Sequence, residues 1–570
     1  VCSQPALSQN SDVQLKNEFE DLDQYLPELP DGQNRWNIEE PTIPQAGGSE
    51  TPIIDSLSGL VFVPSMDQFD KSGIAIKGIH IEGIPKLNHK KFRQQVESYL
   101  TKPLSLKQLN EIAQKVVLHM REQNRPVVDA VIPEQNIKTG TVQILVLIGT
   151  VGKIQTENNK YFSDKLIQSS LRLKPGEKIK GNLLKEDLDW LNQNPFRQVD
   201  LVYTQGESFG ETDLIMRTRD RLPWRFYGGY ENNGTKLTGK DRYFAGLNWG
   251  NAFGMDHLLN YQYTQSQDGN RLQAHTLSYF IPLPWRHKLW IFGSYSDSEP
   301  SLPDPFSLEA TSWRISSRYI IPLKNWAGVE HEISFGTDYV ESESDLFFTS
   351  FLVNEAPTTI AQGVIAYSAS KNGRYGSTEF SLTSFLSPGG LFDNNTNRAF
   401  NASRAFAEAQ YAYVEAEIEQ VTRLPSNFAW IARFKGQLAS GNLLASEQMT
   451  FGGRNSMRGY ETNEVNADEG YIMSHELRTH SFPVLSNWFD TSFRDRMRML
   501  VFWDFGLASN RRLTNNESER VYLSSIGPGL RYNVGSYLNL TLDWGFQLRE
   551  TPDPSDDSSQ KLEASLTISY

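Results

Sequence analysis

Hydrophobic and polar residues alternate along the last segment of the chain, residues 562–570. Every second position from Leu562 to Tyr570 is apolar, and the positions between them carry Glu, Ser or Thr. Because successive side chains of a strand point to opposite faces, the segment predicts a strand with one apolar and one polar face. The last strand of a transmembrane barrel needs this pattern, with lipid outside and water inside. Tyr570 is then the expected residue that closes the barrel.

Similar alternation recurs from residue 223 onward, where helical periodicity disappears. At roughly 20 to 22 residues per strand and connection, this region predicts about 16 strands. An even number of that order fits one closed antiparallel barrel with an aqueous lumen. The predicted fold class is mainly β, with residues 223–570 as a 16-stranded transmembrane β-barrel.

A different pattern precedes the barrel. Residues 71–149 and 150–222 each predict the order strand, helix, helix, strand, strand, which is a small α+β module. Residues 12–26 predict an amphipathic helix, and residues 27–70 predict a linker that is rich in Pro, Gly, Ser and Thr. The helix is either a plug that reaches the barrel pore or a leader without a role of its own.

Residues 1–11 predict the remnant of a secretory signal or the mature N-terminus. Ala6-Leu7-Ser8 fits the small-x-small end of a signal, which makes Gln9 the first mature residue. The alternative is a lipid-modified Cys2. The sequence contains one cysteine, so an intramolecular disulfide is impossible.

Composition agrees with a barrel and argues against other classes. Mean hydropathy is -0.48, and no run of about 18 apolar residues predicts a transmembrane helix. Aromatic residues make up 12% of the chain, and most of the 12 Trp lie between Trp224 and Trp544, which favours interfacial girdles in that region. A net charge of -13 without a large basic patch argues against a nucleic-acid partner.

The loop 451–460 has an unusual composition for a barrel loop. Its distinctive residues are Phe451, Gly452, Gly453, Arg458, Gly459 and Tyr460. Glycine permits positive φ and close backbone approach. A guanidinium stays charged and offers two parallel donors to a carboxylate. Asp504, in an otherwise aromatic strand, faces the lumen if its aromatic neighbours face lipid.

This loop resembles the inward-folding loop of the outer-membrane superfamily that includes BamA, which is written as x-Arg-Gly-Tyr/Phe. Within that superfamily, the chain is most similar to the two-partner-secretion transporters, the TpsB proteins of the ShlB/FhaC/HecB group. Three stretches support this: residues 125–149 with Pro133-Glu134-Gln135, residues 182–210, and Asn251 to Leu258 at an early hairpin turn. The two modules then correspond to POTRA domains.

The resemblance implies a transporter in the outer membrane of a Gram-negative-type cell, with its POTRA domains in the periplasm. It also implies that Arg458 bonds to Asp504, whereas the alternative is two unrelated solvated charges. The implied partner is a secreted TpsA-type exoprotein with an N-terminal secretion domain, which is an adhesin, a haemolysin or a contact toxin. Export is expected to need no ATP, since the sequence has no Gly-x-x-x-x-Gly-Lys-Ser/Thr run.

The second module is expected to supply the cargo-binding strand. An exposed sheet edge adds an incoming strand through main-chain hydrogen bonds and reads little sequence. The candidate edge residues are Phe196, Val199, Leu201 and Tyr203. The alternative is that both modules are rigid spacers.

Other partners are expected to be the barrel assembly machinery during biogenesis and outer-membrane lipid with lipopolysaccharide, and the chain is expected to be a monomer without a cofactor. An enzyme is not expected. His475 stands beside Glu476, but adjacent strand residues point to opposite faces and form no dyad. The alternatives are an insertase of the BamA or TamA kind, a passive porin and an outer-membrane hydrolase.

Overall fold

In the computed structural model, residues 37–39, 47–349, 351–487, 495–514, 519–552 and 558–570 are described. The chain divides into two compact units, one that ends at Leu222 and one that continues from Pro223 to Tyr570. The predicted segments 1–11 and 12–26 lie outside the described residues. No helix in the described part of the chain is long and apolar enough to cross a membrane.

The first module is a four-stranded sheet packed against two helices. Its elements and the short strands near it are β1 Ile38–Glu39, β2 Pro52–Ile54, β3 Gly59–Val63, β4 Gly78–Ile81, α1 Lys90–Glu97, β5 Leu104–Ser105, α2 Leu106–Glu122, β6 Val128–Val131 and β7 Thr141–Ile148. The strand order is β4-β3-β7-β6, with β3 parallel to both of its neighbours. A separate two-stranded sheet joins β2 and β5.

The longer helix of this module begins at a capping box. The Ser105 hydroxyl accepts from the Gln108 N–H, and the Gln108 side chain accepts in return from the Ser105 N–H. One face of α2, with Ile112 and Val116, is fully buried in the same core as Phe62 of β3. The helix is therefore fixed at its start and along its apolar face.

The prediction of a linker over residues 27–70 is wrong for β3. All five residues of β3 are buried, and this strand lies in the middle of the sheet. Its sequence Gly-Leu-Val-Phe-Val is a continuous apolar run without alternation, as expected for a strand covered on both faces. Such a strand has no hydrophobic period that would distinguish it from a linker.

The second module repeats the order strand, helix, helix, strand, strand. Its elements are β8 Thr150–Glu157, α3 Asp164–Ser169, α4 Gly181–Leu191, β9 Arg197–Gln205 and β10 Glu211–Asp220. The strand order is β1-β9-β10-β8, and β1 runs parallel to β9. A segment of the predicted linker thus pairs with the second module.

The second unit is a closed barrel. Its elements are β11 Trp224–Glu231, β12 Arg242–Ala252, β13 His257–Ser266, β14 Gln273–Pro282, β15 Lys288–Ser298, β16 Phe306–Pro322, β17 Val329–Phe348, β18 Phe351–Glu355, β19 Thr358–Gly373, β20 Gly376–Pro388, α5 Asn397–Ser403, β21 Gln410–Arg423, β22 Ala429–Ala439, β23 Met449–Phe451, β24 Val465–Ala467, β25 Glu469–Arg478, β26 Asp495–Ser509, β27 Arg520–Val534, β28 Leu538–Gln547 and β29 Gln560–Ser569. The strands β23 and β24 form a separate two-stranded sheet that is not part of the wall.

The wall has 16 positions, which confirms the predicted 16-stranded antiparallel barrel. Both β18 and β19 pair with β17 and share one position. The first strand, β11, closes against β29 from Tyr227 opposite Ser569 to Glu231 opposite Ser565. The main chains of Phe226 and Tyr570 exchange two further hydrogen bonds, so the ladder reaches the terminal residue.

The terminal strand shows how alternation determines which side chains enter the lumen. Leu562 and Ile568 are 55% and 58% exposed on the outer face. Glu563 and Thr567, which alternate with them, are buried inside the barrel. Polar residues therefore line the interior, and loops that enter the lumen meet hydrogen-bonding groups on its wall.

Candidate functional site

The loop between β23 and β24 folds into the lumen and ends on the wall. Arg458 donates from Nε and Nη2 to the two carboxylate oxygens of Asp504, at 2.8 and 2.6 Å. The Arg458 backbone N–H also lies 3.2 Å from the same carboxylate. This is a bidentate contact between a guanidinium and a carboxylate, in which geometry as well as charge fixes the loop.

Asp504 reaches the loop because of its place on β26. Asp504 and Phe502 are buried inside the barrel, while Trp503 between them is on the outer face. The guanidinium of Arg458 lies 3.7 Å from the centre of the Phe502 ring. The cation thus has a carboxylate on one side and an aromatic face on another, which favours a charged arginine at a buried position.

Arg458 also contacts a second carboxylate, on the neighbouring strand, which the sequence did not predict as its partner. Glu476 of β25 accepts from Arg458 Nη1 at 2.6 Å, and the Ser474 hydroxyl accepts from Nη2 at 2.9 Å. His475 points outward and stacks against Trp430 and Trp503. Adjacent strand residues point to opposite faces, so an outward His475 places Glu476 in the lumen. This alternation is the feature of the sequence that predicts a lumenal position for Glu476.

Backbone approach completes the contact. Gly459 has φ +89°, and a Cβ on it would lie 2.9 Å from the carbonyl carbon of Gly545 on β28. A Cβ on Gly545 would lie 2.4 Å from the Gly459 nitrogen, so both glycines are needed at this crossing. The fully buried Tyr460 donates to the Arg549 carbonyl at 2.6 Å and accepts from the Ser524 N–H at 2.9 Å.

The other motif residues lie at the base of the loop. Phe451 is fully buried in an apolar cluster with Met457 and Tyr460. Gly452 and Gly453 both have positive φ, at +113° and +90°. The structure therefore brings the whole predicted loop motif and Asp504 to one region of the lumen.

A further group of contacts lies inside the barrel beside β22, and we call it the outer plug. Glu447 is buried and accepts from Tyr413 at 2.5 Å and from Gln362 at 2.8 Å. Arg404, just after α5, forms a buried ion pair with Asp468. Arg404 also donates to the Leu443 carbonyl, so the loops that carry Arg404 and Glu447 are tied to each other, and Tyr413 and Gln362 tie Glu447 to the wall.

The predicted cargo-binding edge differs from expectation. Val199 and Leu201 are fully buried, and Phe196 is also buried just before β9, so these side chains belong to the module core. The remaining candidate, Tyr203, is only partly buried. An incoming chain therefore cannot read the three buried side chains, and any strand addition at β9 depends on its main chain.

The main chain of β9 is itself occupied. The Asn192 side chain accepts from the Val199 N–H at 2.6 Å and donates to the Val199 carbonyl at 2.9 Å. Next to it, the Leu201 N–H donates to the Asn37 carbonyl at 2.9 Å. The expectation of an open edge is thus wrong from Val199 to Val202, because an asparagine side chain and residues 37–39 take the place of a neighbouring strand.

Within the described ranges, no group of His, Cys, Asp and Glu side chains is arranged to hold a metal ion. The site is instead a lumen in which charged and aromatic side chains hold loops in place. What this arrangement offers chemically is a non-covalent attachment of the loop to the barrel wall, through an ion pair and hydrogen bonds.

Comparisons with known proteins agree with this architecture. Residues 210–532 match the family described as haemolysin secretion/activation protein ShlB/FhaC/HecB, and residues 74–149 match the ShlB-type POTRA domain. The heme/hemopexin transporter protein HuxB of Haemophilus influenzae (strain 86-028NP) is 24% identical over 78% of each chain. Among solved structures, CdiB from Escherichia coli has a TM-score of 0.69 at 13% identity, covering 99% of this chain and 98% of its own.

BamA from Haemophilus ducreyi lacking POTRA domains 1–3 has a TM-score of 0.53 at 14% identity, covering 88% of this chain and 100% of its own. The family matches place the chain in a class of outer-membrane transporters that carry periplasmic POTRA domains. The chain belongs to the ShlB/FhaC/HecB family, the TpsB transporters. It is located in the outer membrane of a Gram-negative-type cell.

Proposed function

We propose that the chain is the transporter of a two-partner secretion system that exports one unfolded exoprotein through its barrel to the cell surface. The observation that carries the proposal is the bidentate contact of Arg458 with Asp504, which holds a loop inside the conduit. The relatives HuxB and CdiB, named as transporters, support it. The exoprotein is a TpsA-type adhesin, haemolysin or contact toxin with an N-terminal secretion domain.

Cargo reception is assigned to the second POTRA module. Main-chain pairing at β9 suits an unfolded segment, because it does not depend on particular side chains. Residues 37–39 cover Leu201 and Val202, so an incoming strand pairs there only after they leave. The alternative of rigid spacers predicts that changes at this edge leave export unaffected.

Passage requires the closed lumen to open. The Arg458 loop and the outer plug obstruct the barrel, and cargo has to bind the open state more strongly than the closed state to shift this equilibrium. Folding of the cargo outside the cell prevents its return, so no nucleotide is required. That the helix 12–26 adds a further plug stays a prediction.

An insertase of the BamA kind is the second candidate, since a BamA structure shares the barrel fold. Release of strands into lipid requires the wall to open. Opening leaves backbone groups of the two seam strands unpaired, which is costly in hydrocarbon. The seam between β11 and β29 is instead paired and is extended by the Asn232 side chain, which bonds to Leu562 and Ala564. A continuous seam favours passage through the lumen.

Deletion of the gene in its host tests the proposal. A large exoprotein with an N-terminal secretion domain, encoded beside this gene, should accumulate in the periplasm and disappear from the cell surface. A plasmid-borne copy should restore export. Normal surface levels in the deletion strain would contradict the proposal, and a general loss of outer-membrane barrels would favour the insertase.

The remaining partners are part of the same proposal. The barrel assembly machinery inserts the chain, lipid and lipopolysaccharide surround it, and one copy is sufficient for export. Co-expression of an export-deficient copy with a functional one tests the last point, because a monomer predicts no dominant loss of export.

A further inference from the structure

The strands β16, β17 and β18 continue beyond the end of the barrel wall. Pairing of β15 with β16 ends at Ala310, and pairing of β17 with β19 ends at Ser342. The residues from Glu343 to Phe348 continue past that point by a rise of about 20 Å. We call residues 306–309, 343–348 and 351–355 the flap.

The flap lies on the extracellular side. The POTRA domains, which are periplasmic in this family, precede β11 in the chain, and neighbouring strands from β11 to β17 are antiparallel, so β11, β13, β15 and β17 run outward. The end of β17 and the start of β18 are therefore outside the cell. Phe306 packs edge-on against Phe348 at 5.3 Å, and the Thr349 N–H donates to the Pro305 carbonyl, which braces the flap internally.

One edge of the flap is open. In the described part of the chain, β18 pairs with β17 and with no other strand. All five of its residues are exposed, and Phe351, Leu352 and Val353 are 74%, 51% and 51% exposed. An exposed apolar edge strand is a template for pairing with another chain. The strand β18 contains no Lys or Pro, and its pairing with β17 has one register shift, between Leu346 and Phe347.

Three carboxylates line up across the flap. Glu309 lies directly opposite Asp345, and Asp345 lies directly opposite Glu355. Like charges placed directly opposite each other on neighbouring strands are destabilising. Residues 299–312 and 341–357 together contain seven Asp and Glu and no Lys or Arg, so the sequence nearby supplies no counter-charge.

This charge restricts what can add to the open edge. A second copy of the chain would place more carboxylates beside Glu355, and the phosphates of lipopolysaccharide are repelled in the same way. Among the described residues, no cluster of three or more His, Cys, Asp or Glu side chains is arranged to hold a metal ion, so a bound cation does not neutralise the row. A Lys or Arg on an added strand, opposite Glu355, places a positive charge beside the three carboxylates and is therefore favourable.

We propose that the flap receives an extended, net-basic segment of the exoprotein as it leaves the barrel and pairs with it along β18. This inference rests on the proposed function and adds the site at which the exported chain begins to fold. The main chain of β18 supplies hydrogen bonds, Phe351 to Val353 supply apolar contact, and the carboxylate row selects basic residues. The first strand of the cargo then folds on a preformed sheet.

Photo-crosslinking in exporting cells tests the proposal. A photoreactive phenylalanine at position 351 should form an adduct with the exoprotein, at a segment rich in Lys and Arg. The matched control is the same residue at position 375, where Tyr375 is 73% exposed in a turn at the other end of the barrel. Equal adducts at both positions, an adduct between two copies, or no adduct during active export would each overturn the proposal.

Neutral substitutions separate recognition from a structural role. E309Q, D345N and E355Q combined remove like-charge repulsion and should leave the folded barrel at least as stable, as judged by heat-modified migration in gels. The adduct at position 351 should nevertheless decrease by about fivefold. An unchanged adduct would show that the carboxylates do not select the cargo. If no exoprotein depends on this gene at all, the proposed function fails, whereas intact export without flap adducts rejects only this inference.

Discussion

At the scale of single residues, the lumen site depends on pairing buried charges. Arg458 is surrounded by Asp504, Glu476 and Ser474 from two neighbouring strands and by the ring of Phe502. Transfer of such a cation from water is costly, and partners on several sides offset the cost. Removal of Arg458 takes the guanidinium away from the fully buried carboxylate of Asp504.

Arg458→Ala should therefore reduce export strongly and destabilise loop docking by about 3 to 5 kcal/mol. Asp504→Ala should have a similar effect, and the double variant should be little worse than either single variant, because the two residues form one contact. The measurement is the amount of exoprotein in the medium together with the heat-modified migration of the barrel.

Arg398→Ala is the matched control, since Arg398 is an exposed arginine of α5. It should export normally. Arg458→Lys should retain part of the activity, because lysine keeps the charge and loses the planar fork. Additive losses in the double variant would show that Arg458 and Asp504 act independently.

At the scale of elements, the predicted edge strand shows where local pattern fails. Alternation correctly places β9 in the second module, but it does not show which neighbours cover it. Asn192 and residues 37–39 pair with β9 from positions before it in the chain, and residues 37–39 are more than 150 residues away. Only the folded chain brings them together.

Glu39→Pro should weaken this cover and increase cargo binding. The parallel register places the Glu39 N–H toward the Leu201 carbonyl, and proline removes that donor. Loss of one hydrogen bond should increase the affinity of the purified transporter for the secretion domain of its exoprotein by about fivefold. Glu39→Ala, which retains the N–H, is the control and should bind like the original chain; weaker binding by Glu39→Pro would mean that residues 37–39 help to hold cargo.

The first POTRA module should lose stability in mild acid. Burial of His119 beside Phe92 lowers the pKa of its imidazole, and this outweighs the opposing effect of its hydrogen bond to the Lys86 carbonyl. The unfolded chain takes up a proton near the ordinary pKa of about 6.5, whereas the folded module resists it, so stability falls as the pH decreases below that value.

Amide hydrogen exchange in α2 of the full-length protein measures this effect. Exchange through opening of the module should become more probable at pH 5.5 than at pH 7.5, after correction for the intrinsic pH dependence of exchange. His119→Gln keeps a donor for Lys86 and does not titrate, so it should remove the difference. An equal difference in both proteins would assign the acid sensitivity to another group.

At the scale of the whole molecule, the closed wall distinguishes transport through the lumen from release into lipid. Tyr230 lies directly opposite Leu566 across the seam of β11 and β29. Cysteines at these two positions, in a Cys2→Ser background, should form a disulfide that locks the seam. Export should continue at the original rate when the disulfide is oxidised, because cargo does not pass through the wall.

Reduction of the disulfide provides the control within the same protein. Cysteine at position 566 alone tests for effects of the substitution. Loss of export on oxidation, with recovery on reduction, would contradict passage through a closed barrel and would favour lateral opening.

The sequence by itself determined the barrel, the two modules and the outer-membrane class, because period-two alternation and the Arg458 loop are local patterns. Alternation even places Glu476 in the lumen, although nothing nearby in the sequence identifies Arg458 as its partner. The tertiary structure decided that β3 is a central strand, that residues 37–39 cover β9, and that Glu309, Asp345 and Glu355 form one row. The physical reason is that periodicity reports which face a side chain occupies, whereas strand register and loop docking determine what it meets there.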